Sequence, residues 1–361
     1  MTRLKLYFLQ NLFTLILSAI GAITAILYSC FFLTPPLWIS MLWVLTTFFI
    51  FYLTTHIIVK FLRKTNPVHT KVFSYSLYTI TTLFICNLFI FPTVFLLTGD
   101  MIEDNKHSIC CETPLEYGAA DYQNLNFTMK DGVIISGWYI PPAIHKNSLI
   151  ILIHGHYADR RATREWAKTL IKAGYGIYMY DTRGHGESEG VLDYIHSNFS
   201  TDLLDIREKL ANQYSIKKFG AVGLSMGAHT LINTVAKNND AFSAVWLDGL
   251  TPQAPKDLDE FRLEIWLYSN LEIVTQILFK NPAPKWEPLL DILTENKITK
   301  IMVVAAGAED KETSTGRKLA IAKSNLIDNW IIPSAHHLNG FSVAPNEYKQ
   351  KLLDFFNILN D

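Results

Sequence analysis

Net charge is nearly absent from this chain. Its 361 residues carry 32 Lys and Arg against 33 Asp and Glu, a formal net charge of −1 at pH 7. A nucleic-acid-binding surface needs a basic stripe or patch, and none stands out, so that class is excluded. Cysteine is scarce too, at four residues: Cys30, Cys86, Cys110 and Cys111. Cys110 and Cys111 are adjacent, whereas paired metal ligands are spaced by roughly two to four residues, so this pair does not read as a metal site. Surface or interface packing remains for it, or pairing with another chain in an oxidising compartment. Repeats and low-complexity tracts are lacking as well.

The most informative absence is local. Before Gly99, charged residues are few and clustered. Three apolar runs, about Leu6–Leu33, Leu37–Leu62 and Val72–Leu97, hold no Asp, Glu, Lys or Arg before their last turn. Each exceeds the roughly 20 residues that a helix needs to cross a hydrocarbon core. The spacing therefore predicts a membrane domain over residues 1–98 with three transmembrane helices, and the lipid bilayer as a partner. The first run alone has the make-up of a signal peptide, but its length and the two runs that follow argue for an uncleaved anchor. Ionisable residues that mark a transport pathway are missing from the runs, His56 apart, which argues against a transporter.

Orientation follows from the basic residues. Arg3 and Lys5 precede the first run, and the second connection holds Lys60, Arg63, Lys64 and Lys71. Asp100, Glu103 and Asp104 follow the third. The positive-inside bias puts the N-terminus in the cytoplasm and all that follows Gly99 beyond the plasma or inner membrane.

After a linker over residues 99–120, the composition becomes that of an ordinary soluble domain over residues 121–361. Asp121–Met129 and Val133–Ile140 read as strands joined by a turn at Lys130-Asp131-Gly132. Ser148–Gly155 is continuously apolar, as a strand buried on both faces should be. Helical and strand patterns then alternate to a closing helix near Asn346–Leu359, which implies a mainly parallel sheet covered on both sides. The alternation breaks at about 250–300, where Asp259–Phe279 is long, apolar and helical. That segment either covers the sheet or caps an active site.

Gly223-Leu224-Ser225-Met226-Gly227 lies between a predicted strand and a predicted helix. The G-x-S-x-G pattern alone is weak, but that setting is what a nucleophile elbow requires. A serine hydroxyl needs a base to take its proton. An acid and a histidine should follow at later strand ends. Asp310 stands at the G-x-x-D position after one strand with Glu309 beside it, and His336 and His337 end the next. An oxyanion needs two fixed N–H donors. Met226, at the positive end of a helix, is one. The other is the backbone N–H of His156, with Tyr157 as its alternative.

The chain from about Thr113 resembles a serine hydrolase of the α/β-hydrolase superfamily, in a bacterial, membrane-anchored form. The resemblance rests on the elbow, on His154-Gly155, and on the segment holding Asp181, Arg183, Gly184, His185, Gly186 and Ser188. It implies the α/β-hydrolase fold. From Ser334-Ala335-His336-His337 it implies His337 as the base, and from G-x-x-D it implies Asp310 as the acid ahead of Glu309. Asp248 is a third acid candidate, and Asp181 and Arg183 are expected to hold loops together. The function implied is hydrolysis of carboxylic esters, lipid-like or acylated, through a Ser-His-Asp triad and with no metal or organic cofactor. Peptidase and thioesterase chemistry on the same fold are the alternatives, as is a catalytically silent scaffold. Oligomeric state is not legible.

Overall fold

The computed structural model describes residues 105–143, 147–190, 197–258, 287–294, 296 and 298–360. The three apolar runs and most of the candidate cap lie outside the described residues. Among those described, no helix is long and apolar enough to cross a membrane.

Eight strands form one sheet: β1 (Gln123–Thr128), β2 (Ile134–Ile140), β3 (Ser148–Ile153), β4 (Gly176–Tyr180), β5 (Lys218–Leu224), β6 (Ala244–Asp248), β7 (Lys300–Ala306) and β8 (Ile327–Ile332). Their spatial order is β8-β7-β6-β5-β3-β4-β2-β1. β2 runs antiparallel to both neighbours, and the six strands from β4 to β8 pair in parallel. The helices between them are α1 (Arg164–Lys172), α2 (Ser197–Tyr214), α3 (Met226–Lys237), α4 (Asp310–Ala322) and α5 (Pro345–Phe356).

The period of two in the strands builds two cores. Leu149, Ile151 and Ile153 of β3 join Leu203, Leu231 and Leu319 of α2, α3 and α4 on one face. Ile150 and Leu152 face the other way, onto Trp166 and Leu170 of α1 and Leu352 and Phe356 of α5. All six residues of β3 are buried, which is why its sequence does not alternate. The mainly parallel sheet with helices on both faces is therefore as expected.

Two expectations change. The stretch read as a linker is structured from Asn105, where Asn105–Lys106 pairs with His185–Gly186 and Pro114 and Tyr117 are buried. The segment after β7, expected to carry the acid at the strand end, is the helix α4, which begins at Asp310 itself.

Candidate active site

The site sits at the carboxyl ends of the central strands, where open α/β sheets place their ligands. β5 ends at Leu224, and α3 begins at Met226. Ser225 makes the whole connection, with φ 52° and ψ −108°. Side chains rarely adopt such a backbone, and it holds the hydroxyl clear of both elements. Two glycines make the turn possible. A Cβ on Gly223 would lie 2.3 Å from the Gly227 carbonyl oxygen, and one on Gly227 2.4 Å from that of Ile153. The Ser225 N–H donates to the Asp248 carbonyl at 2.8 Å, so β6 pins the turn from the side.

His337 comes from the turn after β8. Its Nε2 lies 2.9 Å from Ser225 Oγ. Its Nδ1 lies 2.5 Å from Glu312 Oε1. An ionised carboxylate only accepts, so Nδ1 carries the proton and Nε2 is left to accept from the serine. The bond to Glu312 is the main reason that the imidazole pKa is raised, against the opposing pull of burial.

The carboxylate is thus not Asp310. Asp310 is the exposed first residue of α4, and Glu312, two positions on, is 1% exposed. The helix explains the change, because side chains on one face recur at three- and four-residue spacing. Glu312, Thr315, Gly316 and Leu319 form the buried face of α4. Oε2 of Glu312 also accepts from the Ala306 N–H at 2.8 Å, which fixes the carboxylate from its far side. Glu309 meets the exposed His336, at 3.3 Å.

Asp248 is engaged elsewhere. The Tyr348 hydroxyl donates to its Oδ2, and that hydroxyl accepts from the Trp246 and Trp166 indoles at 2.8 and 3.1 Å. Complete burial raises the Asp248 pKa to about 7. Sequence patterning gave no sign of Tyr348, since it reads as one more apolar position of α5.

His156 follows Gly155, where an added Cβ would lie 3.4 Å from that of Ser225, so this loop runs against the nucleophile turn. The rings of His156 and Tyr157 stack with centroids 3.8 Å apart, and Tyr157 adopts φ 57°. Met226 opens α3, so its N–H belongs to the first turn and has no acceptor within the helix. His154 is buried, and its Nε2 accepts from the Thr182 N–H at 3.0 Å while Nδ1 donates to the Gly155 carbonyl at 2.7 Å. Burial lowers the pKa of His154 and pushes His185 down to about 3, so both rings are neutral. Past the loop, Arg160 places its backbone N–H and its Nη2 on Asp181, each at 2.7 Å. Arg183 forks between Asp202 and Asp131. Asp181 and Arg183 tie loops together, as expected. Arg160, the buried partner of Asp181, escaped notice because its stretch reads as an ordinary polar helix start. Among the described residues, no group of His, Cys, Asp or Glu could hold a metal ion.

A family model described as serine aminopeptidase, S33, matches residues 144–322. A protein called YfhR from Salmonella typhi is 30% identical over 126 residues, 34% of this chain and 40% of that one. Ethanol acetyltransferase 1 from Kluyveromyces marxianus is 30% identical over 110 residues, 30% of this chain and 29% of its own. The matches thus span less than half the length of these relatives. Among solved structures, the esterase Pf2001 of Pyrococcus furiosus superposes with a TM-score of 0.56 at 21% identity, over 71% of this chain and all of its own. A carboxyl esterase from Bacillus coagulans gives 0.51 at 14% identity, over 67% of this chain and all of its own. At such identities these likenesses speak to the fold.

Proposed function

We propose that this chain, which belongs to the α/β-hydrolase superfamily, hydrolyses carboxylic esters through an acyl-enzyme on Ser225. The observation that carries the reading is the unbroken line from Ser225 Oγ through His337 to Glu312. His337 takes the serine proton as Oγ attacks the acyl carbon, then returns it to the leaving alcohol. Glu312 holds the imidazole in the tautomer that can accept and stabilises the imidazolium that forms. The developing oxyanion lies between the backbone N–H groups of Met226 and His156. Water then clears the acyl group by the same steps in reverse order.

The acyl substrate is lipid-like. Its support is the apolar character of residues 6–97 and of the segment Asp259–Phe279. Three membrane spans in the first stretch would tether the hydrolase domain outside the cytoplasm, beside a bilayer. Proteolysis of sealed cells tests this: release of the domain supports it, and protection overturns it.

The likeness to a protein named ethanol acetyltransferase supports a second way to resolve the same intermediate, with an alcohol in place of water. A scaffold without chemistry has no use for a strained serine aimed at a histidine, which weighs against that alternative. The deciding experiment is labelling of the purified chain with a fluorophosphonate, alongside Ser225→Ala. Labelling of the wild type alone supports the reading, and an unlabelled folded wild type refutes it. A panel of p-nitrophenyl esters, glycerol esters and peptides, with and without added ethanol, then separates ester hydrolysis from peptidase and transferase chemistry.

A further inference from the structure

Two exposed thiols stand side by side on the segment that leads into the hydrolase domain, at Cys110 and Cys111. Cys111 adopts φ 68°, a left-handed conformation rarely taken by residues with a side chain. That turn folds the second side chain back on the first, and the Cys111 thiol donates to Cys110 Sγ at 2.8 Å. Both flanks are held to the domain. The Ile109 N–H donates to Glu187 at 3.1 Å, Arg161 donates to the Cys110 carbonyl at 3.4 Å, and Glu112 faces Arg164 at 3.6 Å.

We propose that Cys110 and Cys111 form a thiol-exchange site that takes small-molecule disulfides and closes into a disulfide between the two neighbours. The thiolate is the nucleophile in such exchange. The Cys111 proton is held on its sulfur chiefly by the bond to Cys110, which keeps this thiol above its ordinary pKa. Because the Cys111 thiol is the donor and Cys110 Sγ the acceptor, Cys110 is the attacking sulfur and Cys111 the resolving one. The Cys110 thiolate attacks one sulfur of a disulfide RS–SR, forms a mixed disulfide and releases RS⁻. Cys111 gives its proton to solvent and attacks Cys110 Sγ, and the second RS⁻ leaves. Two electrons pass from the cysteine pair to the small disulfide, which becomes two thiols.

Little movement is needed, since the sulfurs start 2.8 Å apart and end at about 2.05 Å. The closed form is also easily reopened. Neighbouring Cα atoms lie about 3.8 Å apart. Relaxed disulfides span about 4.4–6.8 Å between Cα atoms, so this ring is strained and more reducible than most. The site does not depend on any role for Ser225.

The test is incubation of the purified full chain with oxidised glutathione, an iodoacetamide quench and peptide mass mapping beside a non-reducing gel. The expected product is a monomer whose Cys110–Cys111 peptide has lost two hydrogens, takes no iodoacetamide and is restored by dithiothreitol. Cys110→Ser and Cys111→Ser should each stop at a stable glutathione adduct on the remaining thiol. A covalent dimer, a bond to Cys30 or Cys86, or a persistent glutathione adduct on the wild type would overturn the proposal.

Discussion

Two histidines stand next to each other at the end of the last strand, each beside a glutamate, and only one reaches the serine. His336 and Glu309 are 3.3 Å apart, with side chains 71% and 41% exposed. His337 and Glu312 are 2.5 Å apart, at 42% and 1%. The residue types are the same, but the surroundings differ. Water screens the first pair and leaves it free to part, as exposed ion pairs usually do. The second has a carboxylate fixed at both oxygens, by His337 on one side and by the backbone of β7 on the other. Burial, more than residue identity, makes one pair able to orient a base.

Breaking the comparison at its buried end should have the largest effect. His337→Ala is expected to lower kcat on a p-nitrophenyl ester by about 10⁶, as loss of a triad base does elsewhere, whereas His336→Ala should stay near wild type. Glu312→Gln keeps the shape but favours the wrong tautomer, for a loss of about 10⁴. Asp310→Asn, on the exposed start of α4, should change kcat by less than about twofold, as surface substitutions usually have small effects. A large loss in Asp310→Asn with an active Glu312→Gln would reverse the assignment of the acid.

That assignment marks the limit of what was legible in the sequence. The elbow could be read because its demands are local: two glycines, a serine, a strand before and a helix after. The sheet could be read because buried strands leave continuous apolar runs. His337 followed from its place at a strand end and from family resemblance. The acid was harder. Glu309, Asp310 and Glu312 fall within four positions, and a loop gives no reason to choose among them. The signal lay further on, in the spacing of Glu312, Thr315, Gly316 and Leu319, which puts Glu312 on the inner face of a helix. Tyr348 and Arg160 were out of reach, because their partners lie far away in sequence and nothing local announces a buried hydroxyl or guanidinium.

A second buried acid sharpens the comparison. Asp248 is as enclosed as Glu312, but its partner is a tyrosine and not a histidine. Tyr348→Phe removes the donor to Asp248 and the acceptor of two indoles. The expected cost is about 1–3 kcal/mol in urea unfolding, the usual penalty for orphaned buried groups. The acid itself should leave a mark on the pH dependence of stability. Burial raises its pKa to about 7, from the ordinary carboxylate value of 3.8, so the folded state binds more protons than the unfolded state between those limits. Its contribution is therefore complete below the lower value and declines as pH rises toward the upper one. Asp248→Asn should flatten that slope between about pH 4 and 6, below the range in which His337 titrates, which unfolding midpoints measured there would show.

The smallest effect belongs to the exposed pair, and it is the most exacting check of the contrast. His337 must be neutral to accept the serine proton, so kcat/KM should rise with pH as the ring loses its charge. Glu312 raises the imidazole above its ordinary value of 6.5, so the rising limb should lie on the alkaline side of that value. Glu309 acts in the same direction through space, more weakly than Glu312. Glu309→Gln should therefore move the limb slightly toward acid and leave the plateau unchanged. Added salt should shrink that shift, because an exposed carboxylate is screened within about a Debye length. The comparison breaks if Glu309→Gln instead lowers the plateau tenfold or more, or if the shift survives high salt. Either result would make the exposed glutamate a working partner of the site, and the contrast between the two pairs would then be one of degree.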